Sequence, residues 1–219
     1  MVNVERKQRR RSFREDAFNV PNLLTITRVV VIPVVLWLMY QETRVCNFWA
    51  MWLYSAAALT DFVDGWLARK MGLTSLLGQY LDPLADKLIV LATLTMMVQL
   101  GHVPAWAVVI IASRELAVTS LRAVAVSEGV VLAASRGGKD KTAVQMAALV
   151  VLILHDTYYL EWGLFGGFCD FNAVGLVLLY LSVFFTVTSA GEYMALFIDA
   201  VEAKDKRLAD DDAEPASGE

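Results

Sequence analysis

Six stretches of this chain are apolar over lengths close to a bilayer's hydrocarbon thickness: about 22–40, 48–68, 84–100, 104–126, 142–160 and 172–198. A spanning helix needs roughly 20 such residues. Lipid offers no hydrogen bonds, so a spanning segment must satisfy its backbone internally, and a helix does so within one stretch. A soluble domain of 219 residues would rarely be 57% hydrophobic. The pattern predicts an all-α polytopic membrane protein of six transmembrane helices. Residues 1–18 are polar and basic, and the run that follows is long enough to span, so no cleaved signal peptide is expected.

The cations assign the sides of the membrane. The N-terminal arm carries Arg6, Lys7, Arg9, Arg10, Arg11 and Arg14; the second loop carries Arg69 and Lys70. The fourth loop carries Arg136, Lys139 and Lys141, and the tail Lys204, Lys206 and Arg207, against Arg44 alone on the opposite side. By the positive-inside rule both termini and the loops near 70–80 and 127–141 are cytoplasmic, as an even number of spans requires. Phe13, Ala17, Phe18 and Val20 recur at near-helical intervals within the basic arm, so residues 1–18 read either as an interfacial helix on an anionic leaflet or as an orienting tail. Pro21 then breaks the chain before the first span. Residues 19–200 form the membrane domain, with no internal repeat, and the acidic tail 201–219 is expected to be disordered. Cys46 and Cys169 fall on the outer side without metal-ligand spacing and read as free thiols.

One stretch contradicts the apolar background: "TDFVDGWLARKMGLTSLLGQYLDPLADKL", residues 60–88. Asp61 and Asp64 are three apart at the cytoplasmic end of the second span, so they share a helix face with Gly65 and Ala68. Asp82 and Asp86 are four apart at the start of the third, where Asp82 reads as a cap and Pro83 as a first-turn residue. A turn containing Gly72 and Gly78 lets the two helices pack antiparallel and the carboxylate pairs face each other.

An aspartate at the bilayer centre costs about 2.5–3.5 kcal/mol on insertion scales, less near the interface. Four together also repel. Divalent cations answer both problems, and an all-oxygen donor set suits Mg²⁺, Mn²⁺ or Ca²⁺, here as two ions with bridging aspartates. Arg69, one turn from Gly65, would meet an anion that the ions also hold, with phosphate the obvious candidate. Taken singly, each aspartate is more ordinarily a cap or a solvated group. Two spaced pairs with their glycines and an arginine are not explained that way.

The pattern D-x2-D-G-x2-A-R-x8-G-x3-D-x3-D, carried by Asp61, Asp64, Gly65, Ala68, Arg69, Gly78, Asp82 and Asp86 with every spacing kept, resembles the signature of the CDP-alcohol phosphotransferase family. "NVPNLLTITRVVVIP", "SRELAVTSLRA" and "GKDKTAVQM" are similar to the bacterial phosphatidylglycerophosphate synthases within it, and the likeness covers roughly residues 19–150. Asp140, between Lys139 and Lys141, departs from the apolar or neutral residue expected there. The resemblance implies a six-helix membrane enzyme of the bacterial inner membrane, usually a homodimer, with its active site on the cytoplasmic side. It implies transfer of a phosphatidyl group from CDP-diacylglycerol to glycerol 3-phosphate, using Mg²⁺ or Mn²⁺. Carried over residue by residue, Asp61, Asp64, Asp82 and Asp86 are metal ligands, and Asp86 is also the general base. Asn22, Gly65, Ala68, Arg69 and Gly78 would surround the cytidine diphosphate. Membrane lipids are expected partners and nucleic acid is not.

The acceptor's own phosphate requires cations. Arg114 and Arg122 occupy one side of the cytoplasmic half of the fourth helix, and Lys139 and Lys141 open the fifth. The arginine fork suits phosphate oxygens, and lysine adds a point charge. Lys139 and Lys141 also read as topological markers, but Arg114 lies too deep for that. Glu115 is expected to pair with a neighbouring arginine. Arg28, deep in the first helix, faces either a phosphate or an acidic partner. His102 and His155 fall on the outer side with no assigned role. The rival readings are a transferase of the same fold with another acceptor, as in cardiolipin or phosphatidylinositol phosphate synthesis, and a cation transporter. A transporter would set its carboxylates near the midplane on broken helices with related halves; here they gather at one interface beside an arginine.

Overall fold

Five of the six apolar runs fold as helix, and the fifth, 142–160, does so up to Leu154. The computed structural model describes residues 20–71, 76–127, 137–162 and 165–213, so the basic arm lies outside the described residues. The helices are α1 (Val20–Tyr40), α2 (Arg44–Met71), α3 (Leu76–Gln99), α4 (Ala105–Ser127), α5 (Gly137–Leu154) and α6 (Phe171–Ala213). Local chemistry sets several of their limits. Pro21 sits in the first turn of α1, where the missing N–H is not needed. Thr43 caps α2, its Oγ1 accepting from the Cys46 N–H at 3.3 Å and its carbonyl from the Asn47 N–H at 2.8 Å. Gly101, at φ +78°, closes α3 in a Schellman arrangement: its N–H donates to the Val98 carbonyl, and the His102 N–H to that of Met97.

Three expectations need correction. Asp82 and Pro83 do not start the third helix; it begins at Leu76, so both lie inside it. The apolar "LLGQYL" continues the helical pattern upstream, and the lost proline hydrogen bond is tolerated there. The fifth helix stops at Leu154, and an antiparallel hairpin follows: β1 (Thr157–Trp162) and β2 (Phe165–Asp170), paired from Thr157↔Asp170 to Trp162↔Phe165. The architecture is therefore mostly helical rather than all-α. β-Branched and aromatic residues in "TYYLEW" favour the pleated backbone. Across the pair, the Tyr159 ring fills the space that a Cβ on Gly166 would need and meets Phe168 edge-on at 5.2 Å. Finally, α6 runs on to Ala213, through much of the stretch expected to be an unstructured tail.

The chain divides into two compact units, Met1–Met96 and Met97–Glu219. In the first, α1 packs on α2. Its buried residues include Val35 and Met39 of α1, Ala50, Tyr54 and Ala57 of α2, and Ala85, Ile89 and Leu94 of α3. In the second, α6 packs against both α4 and α5. Gly175 permits the α5 contact, because a Cβ there would lie 2.6 Å from Leu152 Cγ and 3.1 Å from its backbone nitrogen. Ser182, Thr186, Ser189 and Tyr193 are buried at successive turns of α6. The three hydroxyls among Ser182, Thr186 and Ser189 donate back to the carbonyls of Leu179, Ser182 and Thr186 at 2.8, 2.6 and 3.1 Å. That internal bonding lets small polar residues line an interhelical seam without a desolvation penalty. At one end of this unit the rings of His102 and His155 stack with centroids 3.4 Å apart.

The outward faces are apolar. Val109, Leu116 and Phe184 are 62%, 65% and 62% exposed, which water would penalise and lipid would not. Trp37, Tyr40, Phe48, Trp49 and Trp52 cluster exposed where α1 ends and α2 begins, the composition of an interfacial aromatic belt. Among the described residues, Phe171–Lys204 is long and apolar enough to cross a membrane, and Thr25–Tyr40 and Thr142–Leu154 are shorter apolar helices.

Candidate active site

The acidic motif is carried by two helices. α2 runs through Asp61, Asp64, Gly65, Ala68 and Arg69; α3 runs through Gly78, Asp82 and Asp86. Spacings of three and four residues on continuous helix put each carboxylate pair on one face of its helix. The side chains of Asn22, Asp61, Asp64, Arg69, Asp82, Lys139 and Lys141 lie outside the described residues, as do the surroundings of Gly65, Ala68 and Gly78. Among the described residues no three His, Cys, Asp or Glu side chains converge. The donor set itself fits a hard divalent ion: four carboxylates and neither histidine nor cysteine on these segments.

Asp86 is half-buried on α3, and Tyr54 of α2 is fully buried. Tyr54 lies two turns before Asp61 on the same helix. In the sequence it is one aromatic within an apolar run, and only its spacing from Asp61 distinguishes it.

In the same unit, α1 and α2 line an open cleft of about 200 Å³. Thr27, Arg28 and Val31 line it from α1; Leu53, Ala57 and Thr60 line it from α2. Arg28 is 3% exposed, so the deep cation expected in the first helix faces a pocket as well as the protein.

The second unit brings together the two arginines of α4. Arg114 donates from Nη1 to Glu115 Oε1 at 3.1 Å, the local ion pair expected for Glu115. Its Nη2 donates to Ser189 Oγ at 2.9 Å. Its Nε is buried and finds no hydrogen-bond partner among the described residues. Arg122 donates from Nη2 to the hydroxyl of Tyr193. Both guanidinium groups also lie over the Tyr193 ring, Arg114 at 5.5 Å and Arg122 at 5.0 Å from its centroid. One aromatic ring thus holds two like charges close together, each attracted to its π face. Ser189 and Tyr193 belong to the buried seam of α6, whose packing on α4 fixes them. Sequence reading passed over both. The recoverable signal is the run of hydroxyl residues at 182, 186, 189 and 193, which repeats at helical intervals through an otherwise apolar span. His102 and His155 play no part in this cluster.

Comparison with known proteins gives consistent results. A family model described as CDP-alcohol phosphatidyltransferase matches residues 18–188. A CDP-diacylglycerol–glycerol-3-phosphate 3-phosphatidyltransferase of Bacillus subtilis is 38% identical over 190 residues, covering 81% of this chain and 94% of the relative. A protein of the same description from Rickettsia typhi is 35% identical, covering 80% and 94%. A probable phosphatidylglycerophosphate synthase of Mycobacterium tuberculosis is 39% identical over 142 residues, covering 62% and 66%.

Proposed function

The chain belongs to the CDP-alcohol phosphatidyltransferase family, and on that premise we propose that it transfers the phosphatidyl group of CDP-diacylglycerol to glycerol 3-phosphate, releasing CMP. The observation that supports a phosphate-bearing acceptor is the pair Arg114 and Arg122 gathered on Tyr193, and the descriptions of the relatives narrow that acceptor to glycerol 3-phosphate. A phosphorylated alcohol needs such a site; a neutral alcohol does not. Lys139 and Lys141, in the first turns of α5, add positive charge to the same reading.

Asp61, Asp64, Asp82 and Asp86 hold two divalent ions, Mg²⁺ or Mn²⁺, and Asn22, Gly65, Ala68, Arg69 and Gly78 surround the cytidine diphosphate. When bound, the ions neutralise the diphosphate and steady the departing CMP. Asp86 takes the proton from the acceptor hydroxyl, an otherwise weak nucleophile at neutral pH. That oxygen forms a bond to the phosphorus bearing the diacylglycerol as the bond from this phosphorus to the bridging oxygen breaks. The Arg114 and Arg122 guanidiniums orient the acceptor by its phosphate throughout. The six helices all span the bacterial inner membrane, with both termini and the site on the cytoplasmic side, where the basic segments lie. The exposed aromatics at the α1–α2 junction support a bilayer interface at that end of the two helices, and the orientation rests on the basic segments alone. The protein works as a homodimer.

The test is CMP release by the purified protein with CDP-diacylglycerol and a panel of alcohols. Turnover with glycerol 3-phosphate, abolished by chelation and restored by Mg²⁺ or Mn²⁺, is expected. A preference for phosphatidylglycerol or inositol phosphate would reassign the acceptor. Asp86→Asn should remove turnover while donor binding persists, and near-normal turnover rejects Asp86 as the base.

A further inference from the structure

The hairpin between α5 and α6 has two unlike faces. Cross-strand partners share a face, so Tyr158↔Cys169 lies on one side and Tyr159↔Phe168, flanked by Thr157↔Asp170 and Glu161↔Gly166, on the other. The first side turns to the protein: Tyr158 meets the Phe171 ring edge-on at 5.2 Å, and Tyr158 and Cys169 are both half-buried. The second side is open. Tyr159 is 55% and Phe168 80% exposed, and Thr157, Glu161, Gly166 and Asp170 are exposed around them. Paired rings held outward in this way mark a contact surface.

The root of the hairpin is fixed to the start of α6. The Phe171 N–H donates to the Asp156 carbonyl at 3.3 Å, and Asp170 Oδ1 accepts from the Asn172 and Ala173 N–H groups at 2.9 and 3.1 Å. Phe171 opens the helical run that is long and apolar enough to cross a membrane. Phe168 lies three residues before it, within about 10 Å at 3.3 Å per strand residue. The headgroup layer on each side of a bilayer's hydrocarbon core is roughly 5–8 Å deep, the level at which aromatic side chains gather. Charge narrows the kind of lipid. Residues 156–171 contain Asp156, Glu161 and Asp170 and no Lys, Arg or His. An anionic surface repels such a segment, whereas a zwitterionic headgroup presents its ammonium to Glu161.

We propose that the Tyr159–Phe168 face docks into the headgroup layer of the leaflet opposite the basic segments, among zwitterionic, ammonium-bearing lipids. The proposal goes beyond the transfer reaction and rests on the reading that α5 and α6 span the bilayer. Docking there sets the depth of α6, the helix that carries Ser189 and Tyr193.

Two measurements on the full-length protein in lipid nanodiscs test this. A nitroxide at position 168, introduced by Phe168→Cys with Cys46→Ser and Cys169→Ser, should collide with oxygen more often than with an aqueous nickel chelate, as a lipid-embedded label does. A label that favours the chelate faces water, and one shielded from both reagents is covered by protein, a second copy included; either result overturns the proposal. The wild-type chain supplies the second readout. Amide hydrogens of 157–162 and 165–170 should exchange about fivefold more slowly, ~1 kcal/mol, in nanodiscs of phosphatidylcholine and phosphatidylethanolamine than in nanodiscs of phosphatidylglycerol. Equal rates, or faster exchange in the zwitterionic lipids, overturn the headgroup assignment. Both leaflets of a nanodisc share one composition, so neither result depends on which side carries the active site. CMP release by the wild-type samples tests the enzymatic reading separately.

Discussion

Tyr193 offers the sharpest functional test, because one side chain serves both arginines by two separable means. Tyr193→Phe removes the hydroxyl that accepts from Arg122 and leaves the ring. A hydrogen bond from a charged donor is worth about 1.5 kcal/mol net at the low end, so KM for glycerol 3-phosphate should rise ~10-fold. Tyr193→Ala also removes the π face under both guanidiniums, at 5.5 and 5.0 Å. Each such contact contributes about 0.5–1 kcal/mol at an accessible site. Arg114 remains held by Ser189 and Glu115, so its share falls at the low end. The sum, ~2.5 kcal/mol, corresponds to an increase of about 70-fold. Initial rates of CMP release across an acceptor titration at saturating donor, repeated across a donor titration, supply both constants. Equal effects of the Phe and Ala variants, or donor KM rising in step with acceptor KM, would refute the argument that Tyr193 positions the acceptor's cations.

Two structural predictions are independent of the chemistry. Gly175→Ala drives a methyl against fully buried Leu152, including its backbone nitrogen at 3.1 Å; overpacking of about 1–3 kcal/mol, less ~1 kcal/mol of helix propensity, leaves a net loss of up to ~2 kcal/mol in thermal denaturation, and combining it with Leu152→Ala should cost less than the sum of the two. Asp170→Ala removes the Oδ1 that caps α6 at Asn172 N (2.9 Å) and Ala173 N (3.1 Å); about 1 kcal/mol should be lost and Asp170→Asn should retain most of it, both read as melting shifts.

What could be read in advance divides by the range of the interaction. The apolar runs located the helices because a lipid-exposed helix must be apolar along its own length, a purely local requirement. The aspartate spacing placed the motif on two helix faces for the same reason. Asp82 and Pro83 misled because both are good N-terminal residues, and nothing nearby in sequence says that "LLGQYL" is already helical. The hairpin escaped because "TYYLEW" abuts a spanning run and shares its hydrophobicity; only the alternation within it, and the glycines of β2, favour strands. Ser189 and Tyr193 escaped because their role is set by which helix packs beside α6. Arg114 and Arg122 could be placed on one helix by spacing, but the ring that joins them comes from more than seventy residues away.

α6 is continuous from Phe171 to Ala213. At 1.5 Å per residue its length is about 64 Å, roughly twice a bilayer's hydrocarbon depth. Tyr193 and the far terminus are thus joined by some 30 Å of uninterrupted hydrogen-bonded rod, along which an axial push or twist is transmitted with little slack. A bulky group fixed to α6 near Ala213 would thus be mechanically tied to the arginine cluster, whereas the same group on a loop between helices would not.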